Sequence, residues 1–439
     1  MTSLAISMAA EKELLGIIVT IIYCVHSIFF LDSNKDVINF DNKILRVSIK
    51  KNKKNAENQN LAVWVQRDQN LLYSSLEDLL ADATIQVIVE TVGGQTFARE
   101  LITKILESGR DVVTANKDLM AVHGEDLLAI AEKNGRQLLF EASVTGAIPV
   151  VRLLQDYFHV DDIEKVSGIF NGTSNFILTE MEQKQLSFEI ALRQAQDLGF
   201  AEADPTNDIA GYDARYKLVI LTYLITGVWL APEQITLEGI EHLEPADFAY
   251  ASRMDRRIKL IGYLKREAQN LKAFVLPLMV QRGTAVAEIG GSTNILSIQG
   301  KFSEEISMVG KGAGSLPTAS ALVADLEKIS KGFSTKNRPS TKQYRLQPFE
   351  EYIFRHTLRI TVNDQPGIVG QIGQVLAEHE INIYAIEQLP QYHQKDGSHP
   401  VIFTITLEAC QEALLKKALE IINKVDYLLQ PISVLREIA

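Results

Sequence analysis

The spacing of apolar and polar positions changes period along the chain, and each change marks an element. SLEDLLAD (75–82) has helical spacing. TIQVIVETVGG (84–94) is a short β-branched run closed by two glycines, which predicts a buried strand and a turn. ARELITKILESG (98–109) is helical with a glycine stop, and RDVVTAN (110–116) returns to strand. HGEDLLAIAEKNG (123–135) predicts a second helix ending at Gly135, and QLLFEAS (137–143) the next strand. Strands alternating with helices of this length imply a parallel, Rossmann-like α/β sheet. KILRVSIKK (43–51) alternates like an earlier strand and runs into a basic, Asn-rich loop, KKNKKNAENQN.

The middle reads differently. The loop NGTSN (171–175) precedes long helices near 187–199 and 210–228, and KAFVLPLMVQ (272–281) and NILSIQG (294–300) read as strands. The pattern predicts an α+β domain inserted into the first. GFSTKNRPSTKQYRLQP (332–348) is a linker by composition. Beyond it, strand, NDQPG turn, helix, two strands, helix and strand follow in order, a ferredoxin-like βαββαβ unit. The expected boundaries are 1–135 for a nucleotide-binding domain, 136–311 for a catalytic and substrate domain, and 312–331 for a helix returning to the first sheet. A linker at 332–352 and a C-terminal domain at 353–439 complete the division.

One stretch departs from this layout. Leu14 to Leu31, LLGIIVTIIYCVHSIFFL, is 18 residues without a charged side chain and reaches the length of a transmembrane candidate. A signal peptide fits poorly, because the preceding residues carry no net positive charge. Lys35, Lys43, Arg46 and the KKNKK run at 50–54 would keep the following region cytosolic if the stretch spanned a membrane. A buried strand and helix start is the favoured alternative.

Composition narrows the function. The chain has 439 residues, 46% of them hydrophobic and 23% charged, so it is an ordinary globular protein of about three domains. A net charge of −11 disfavours a nucleic-acid binder, which needs a basic face. Cys24 and Cys410 form neither a disulfide framework nor a metal-ligand spacing, which fits a reducing, cytoplasmic compartment.

The sharpest chemical cluster is GFAEADPTNDIAGYDARYK (199–217), which holds Glu202, Asp204, Asp208, Asp213 and Lys217. Asp213 and Lys217 are four residues apart and share a helix face. An exposed ion pair is the plain reading. The helix beyond is strongly apolar, however, so this carboxylate-rich start suits a pocket floor. Carboxylates there would hold a substrate ammonium, and Lys217 would pass a proton. VVTANK places Lys117 just past a parallel strand, where ligands of such sheets bind. KGAGSLPTAS (311–320) is a glycine turn before a helix, a ready anion site.

These stretches resemble homoserine dehydrogenase. The matching runs are VVTANKDLMA, FEASVTGAIP, GIFNGTSNFILT, GFAEADPTNDIAGYDARYK and GAGSLPTASALVADL, in the family's order and spacing across about 84–330. The tail, with NDQPGIVGQIGQVLAEHEINIYAIEQ, resembles an ACT domain. The resemblance implies NAD(P)-dependent reduction of L-aspartate 4-semialdehyde to L-homoserine, a step in threonine, methionine and isoleucine biosynthesis. It implies Lys217 as proton donor, Asp213, Glu202 and Asp208 around the amino acid, and Lys117 beside substrate and cofactor. Gly172 and Gly312 would touch the cofactor. A monovalent cation, sodium in the family, would take Glu141 and the carbonyls of Val144, Gly146 and Ile148. The ACT domain implies a homodimer or homotetramer and an amino-acid effector, threonine being expected, with Asn363, Asp364 and Gly367 as the turn to watch.

The chain departs from the family at its start. The family opens with a strand and the turn G-x-G-x-x-G, which lets the backbone approach the pyrophosphate. Here Leu14-Leu15-Gly16 is followed by IIVTIIYCVHSIFF, whose bulky side chains would occupy that space. The alternative reading is therefore a catalytically impaired protein that keeps ACT-mediated dimerisation or amino-acid sensing. The basic end of KILRVSIKK favours NADP(H) over NAD(H), since NAD binding calls for an acidic residue there. A phosphorylating semialdehyde dehydrogenase is disfavoured because neither cysteine is placed as its thiolate nucleophile.

Overall fold

A computed structural model describes residues 75–83, 85–333, 343–388 and 400–438. The apolar stretch at 14–31, the strand expected at 43–51 and the basic loop after it lie outside the described residues. The described residues divide into two compact units, those within Met1–Asp162, Tyr216–Pro232 and Met308–Thr341, and those within Ile163–Arg215, Glu233–Ser307 and Lys342–Ala439.

The first unit is the alternating α/β layer. Strands β1 (Val87–Glu90), β2 (Asp111–Thr114) and β3 (Leu138–Leu139) pair in parallel in the order β1-β2-β3, with Val89 opposite Val113 and Val113 opposite Leu139. Helices α1 (Thr96–Glu107) and α2 (Lys117–Lys133) make the crossovers. On α1, Ile102, Ile105 and Leu106 recur at helical spacing and are fully buried. Each such burial stabilises the fold by about 1.5–3 kcal/mol, so Ile105→Asp would open this layer. The helix Ser315–Ser330 places Leu322 in the cluster formed by Val89, Val113 and Leu139.

Two boundaries differ from the sequence reading. Helix α2 begins at Lys117, not near 123, because the Asn116 side chain accepts from the Leu119 N–H and caps it. The strand expected at 137–143 stops at Leu139. Its continuation turns away at Glu141–Ser143, where the Glu141 N–H donates to the Asp325 carboxylate at 2.9 Å instead of to a neighbouring strand.

The second unit is built on one mixed sheet. Strand β4 (Ile163–Ile169) leads into helices α3 (Gly172–Lys184) and α4 (Phe188–Asp197), then into the start of α5 (Tyr212–Thr226). Helix α6 (Pro245–Arg253) follows, then β5 (Arg256–Glu267), β6 (Asn270–Gln281), β7 (Thr293–Gly300) and β8 (Glu304–Lys311). NGTSN is therefore the start of α3 and not a free loop. Strands β5 and β6 form an antiparallel hairpin in register from Arg256 opposite Gln281 to Glu267 opposite Asn270.

The tail contributes β9 (Ile353–Val362), α7 (Ile368–Glu378), β10 (Ile383–Glu387), β11 (Val401–Leu407), α8 (Glu412–Ile422) and β12 (Ser433–Ile438), the βαββαβ order read from the sequence. Its core joins Leu358 and Ile360 of β9 with Ile372 and Leu376 of α7, Phe403 and Ile405 of β11, and Leu415 of α8. The strand order is β10-β11-β9-β12-β6-β5-β4-β7-β8. The tail's sheet thus runs on into the middle domain's sheet, Arg436 of β12 pairing with Leu278 of β6. Within the stretch of linker composition, Arg345 and Leu346 pair with Asn270 and Leu271, and Tyr352 is buried against Phe274.

Candidate functional site

The second unit brings Asn171, Asp208 and Asp213 together. Strand β4 ends just before Asn171, which caps α3: its Oδ1 accepts from the Ser174 N–H at 2.8 Å. With the carbonyl side so occupied, its Nδ2 donates to Asp208 Oδ1 at 2.7 Å and to Asp213 Oδ2 at 2.9 Å. Asn171 thus bridges two carboxylates across a chain separation of about forty residues. The sequence reading passed over it. The available signal was an asparagine in N-cap position directly after a strand.

Asp213 lies in the first turn of α5, and Lys217 stands one turn further on the same helix. Asp213 is 6% exposed and Lys217 5%, so the plain reading as a solvated ion pair is excluded. Leu218 to Leu221, directly after, are fully buried and anchor the helix. Glu202 stands apart in character: it is exposed on the turn after α4, its carbonyl accepting from Gln196. Gly172 is the first residue of α3, and a Cβ there would come within 2.7 Å of the Ser292 carbonyl. Its lack of a side chain lets two backbones meet.

The first unit holds the other expected residues at the carboxyl edge of its sheet. Lys117, half-buried, is the first residue of α2, with Nζ 3.9 Å from Asp118. Beside it, buried Glu90 at the end of β1 accepts from the Thr114 hydroxyl at 2.6 Å and from the Val92 and Gly93 N–H groups. Burial pushes the Glu90 carboxyl up, against these hydrogen bonds. The Asn116 side chain donates to the Gly94 carbonyl. The turn Gly93-Gly94, with φ of 80° and 74°, is thereby fixed at the edge where ligands of such sheets bind.

The loop after β3 carries the residues expected around a cation. Glu141 is buried, and its carboxylate accepts from the Val151 N–H at 3.1 Å and the Arg152 N–H at 2.7 Å. Burial, and then the nearby Asp325 carboxylate, push Glu141 up to about 7. Thr145 and Gly146 both take left-handed backbone, with φ of 49° and 35°. The Ala147 N–H donates to the Lys311 carbonyl at 3.0 Å, and a Cβ on Gly146 would meet the Gly312 carbonyl at 2.9 Å. The expected cation loop and the expected cofactor glycine are therefore packed together. The Ile148 carbonyl accepts from the Val150 N–H at 2.7 Å. An all-oxygen set of one buried carboxylate and loop carbonyls fits a hard monovalent ion. Among the described residues, no group of three or more His, Cys, Asp or Glu side chains is placed to hold a metal.

Cys410 lies on the tail with Sγ 3.4 Å from His356 Nδ1. Burial, reinforced by Glu412, pushes its thiol up to about 11, so it is a poor nucleophile at neutral pH. Among the described residues no helix is long and apolar enough to cross a membrane.

A parallel sheet, an inserted domain in which Asn171 bridges Asp208 and buried Asp213, and a ferredoxin-like tail mark the chain as an NAD-binding oxidoreductase with a C-terminal ACT domain. The homoserine dehydrogenase catalytic model matches residues 149–326, the homoserine dehydrogenase NAD-binding model residues 30–141, and the ACT model residues 356–426. Homoserine dehydrogenase of Neisseria gonorrhoeae is 35% identical over 369 residues, covering 82% of this chain and 84% of that protein. The Bacillus subtilis enzyme is 35% identical over 342 residues, covering 76% and 79%. The crystal structure of a homoserine dehydrogenase from Thiobacillus denitrificans superposes with a TM-score of 0.83 at 29% identity, covering 96% of each chain. A hyperthermophilic archaeal homoserine dehydrogenase in complex with NADPH superposes with a TM-score of 0.53 at 25% identity, covering 63% of this chain and 83% of that one. The chain belongs to the homoserine dehydrogenase family. Its NAD-binding match begins at residue 30, near the end of the apolar stretch.

Proposed function

We propose that the protein is an active homoserine dehydrogenase that reduces L-aspartate 4-semialdehyde to L-homoserine with NADPH, in threonine, methionine and isoleucine biosynthesis. The observation that carries this reading is the Asn171-bridged pair Asp208 and Asp213, one helical turn from buried Lys217. Asp213, with Asp208 and Glu202, binds the substrate amino acid. Lys217 donates the proton to the aldehyde oxygen as negative charge develops there. The nicotinamide supplies the hydride when bound.

Lys117, Gly172 and Gly312 are assigned to the cofactor. Glu141 and the carbonyls of Val144, Gly146 and Ile148 are assigned to a sodium ion that braces the loop against Gly312 and does no chemistry itself. NADPH is favoured by the basic run at 50–54 and by the NADPH bound to the archaeal relative. The ACT domain is assigned an amino-acid effector, threonine, and a role in dimer or tetramer assembly in the cytoplasm.

The test is homoserine-dependent reduction of NADP and of NAD by the purified full-length chain, alongside fluorescence titration of NADPH. Saturable binding with turnover supports the reading. A folded protein that binds no NADPH would instead favour the catalytically impaired alternative, for which the missing glycine turn is the specific observation.

A further inference from the structure

The segment 236–247 lies between the ACT strands and the substrate carboxylates, and buried charges pin it from the ACT side. Arg436 of β12 donates to Glu238 at 2.7 Å and is itself held by Glu412 of α8 at 2.6 Å. Glu412 also meets His356 of β9 at 2.8 Å. Arg359 of β9 donates to Asp247 at 2.8 Å and to the His242 carbonyl at 3.1 Å, and pairs with Glu244 at 2.8 Å. Arg359, Arg436, Asp247 and Glu412 are all buried. Buried pairs of this kind tolerate little displacement, since either partner left alone is an uncompensated charge.

The other side of the segment touches the substrate loop directly. The Ile240 N–H donates to the Ile209 carbonyl at 2.9 Å. A Cβ on Gly239 would lie 2.7 Å from that carbonyl and 2.8 Å from the Ala210 Cα, so the two backbones are in close contact. Ile209 follows Asp208, and Ala210 precedes Asp213 by three residues. Only Gly239 separates the residue gripped by Arg436 from the one gripping the substrate loop.

We propose that Arg436 and Arg359 are positioning residues for the substrate carboxylates, acting through the segment 236–247. This rests on the reading of Asp208 and Asp213 as substrate ligands. The ACT domain then sets the geometry of the amino-acid site by holding a strap, without contributing a group to it. Variants along such a connection change the coupling by modest factors.

The test uses full-length Glu238→Gln, which keeps the side chain's shape and removes its charge. Hydrogen exchange of the amides in 206–214 is expected to speed up, with β9 and β11 unchanged. KM for L-homoserine is expected to rise about tenfold, while KM for the nicotinamide cofactor stays fixed, a split that general loosening would not produce. Arg359→Lys, which keeps the cation, is the second variant should the first not fold, and it is expected to move both quantities in the same direction. Unchanged exchange in 206–214 in a folded variant overturns the proposal, as does faster exchange with unchanged KM. If the wild-type chain turns over no homoserine, the enzyme reading fails, and the exchange measurement still decides whether the ACT arginines hold the loop.

Discussion

Asn171 Nδ2 and Asp213 Oδ2 meet at 2.9 Å, and the same amide nitrogen reaches Asp208 at 2.7 Å. One neutral side chain therefore keeps two acidic groups side by side. Asn171→Ala removes both donors and the cap of α3. Loss of the cap is expected to lower stability by about 1 kcal/mol. KM for homoserine is expected to rise at least tenfold, as two hydrogen bonds to charged groups are lost. Calorimetry and steady-state kinetics on one preparation separate the two effects, and an unchanged KM would remove Asn171 from the site.

Lys217→Met keeps the length of a buried side chain and removes its proton. Turnover is expected to fall roughly 100- to 10,000-fold, the usual weight of a general acid, with homoserine binding largely retained. Turnover near wild type would rule out the assigned role.

Gly146→Ala combines a left-handed φ of 35° with a Cβ 2.9 Å from the Gly312 carbonyl. Strain of this kind costs roughly 1–3 kcal/mol. The melting temperature is expected to drop, and NADPH affinity with it, because the loop and the Gly312 turn must separate. Gly135→Ala serves as the control: its φ is 62°, but no described atom lies within 4 Å of an added Cβ. It should lose stability without the loss of cofactor affinity.

Lys259 is buried on β5 and donates to the Ile289 carbonyl at 2.7 Å and to Asn175 at 3.3 Å. Burial pulls its ammonium down to about 8, with Glu182 and Glu288 opposing and Arg257 assisting. Between pH 8 and 10.5 the unfolded chain carries a proton there that the folded chain has lost, so raising the pH stabilises the fold at this position. Wild type is expected to gain on the order of 2 kcal/mol relative to Lys259→Met across that span. Denaturant midpoints at pH 7.5 and 10 give the difference, and equal shifts in both proteins would refute the assignment.

The thiol of Cys410, lifted to about 11, is expected to react with iodoacetamide at pH 8 far more slowly in the native protein than in urea. Rapid native labelling would mean that the pairing of Cys410 with Phe354 of β9 opens.

The sequence was most legible where one period repeats. The alternating strands and helices of 84–139 and the βαββαβ tail are legible from spacing, apart from the start of α2 and the end of β3, because each element buries one well-defined face. Strand β5 escaped notice because Ile258, Lys259, Leu260 and Ile261 are all buried, leaving no alternation to read. Asp213 and Lys217 stood out by their four-residue spacing on an apolar helix. Asn171 did not, since its partners are brought to it only by the fold. The joint between β12 and β6 is equally non-local: nothing in either strand announces the other.

That joint has a mechanical consequence. A regulatory module on a flexible tether can be cut away to leave a desensitised enzyme. Here Arg436 pairs with Leu278 inside one hydrogen-bonded ladder. Removing residues 353–439 would strip a flank from β6 and leave backbone donors and acceptors ready to recruit another chain. The ACT domain in this molecule is part of the chassis, and its excision should yield insoluble protein in place of a trimmed catalyst.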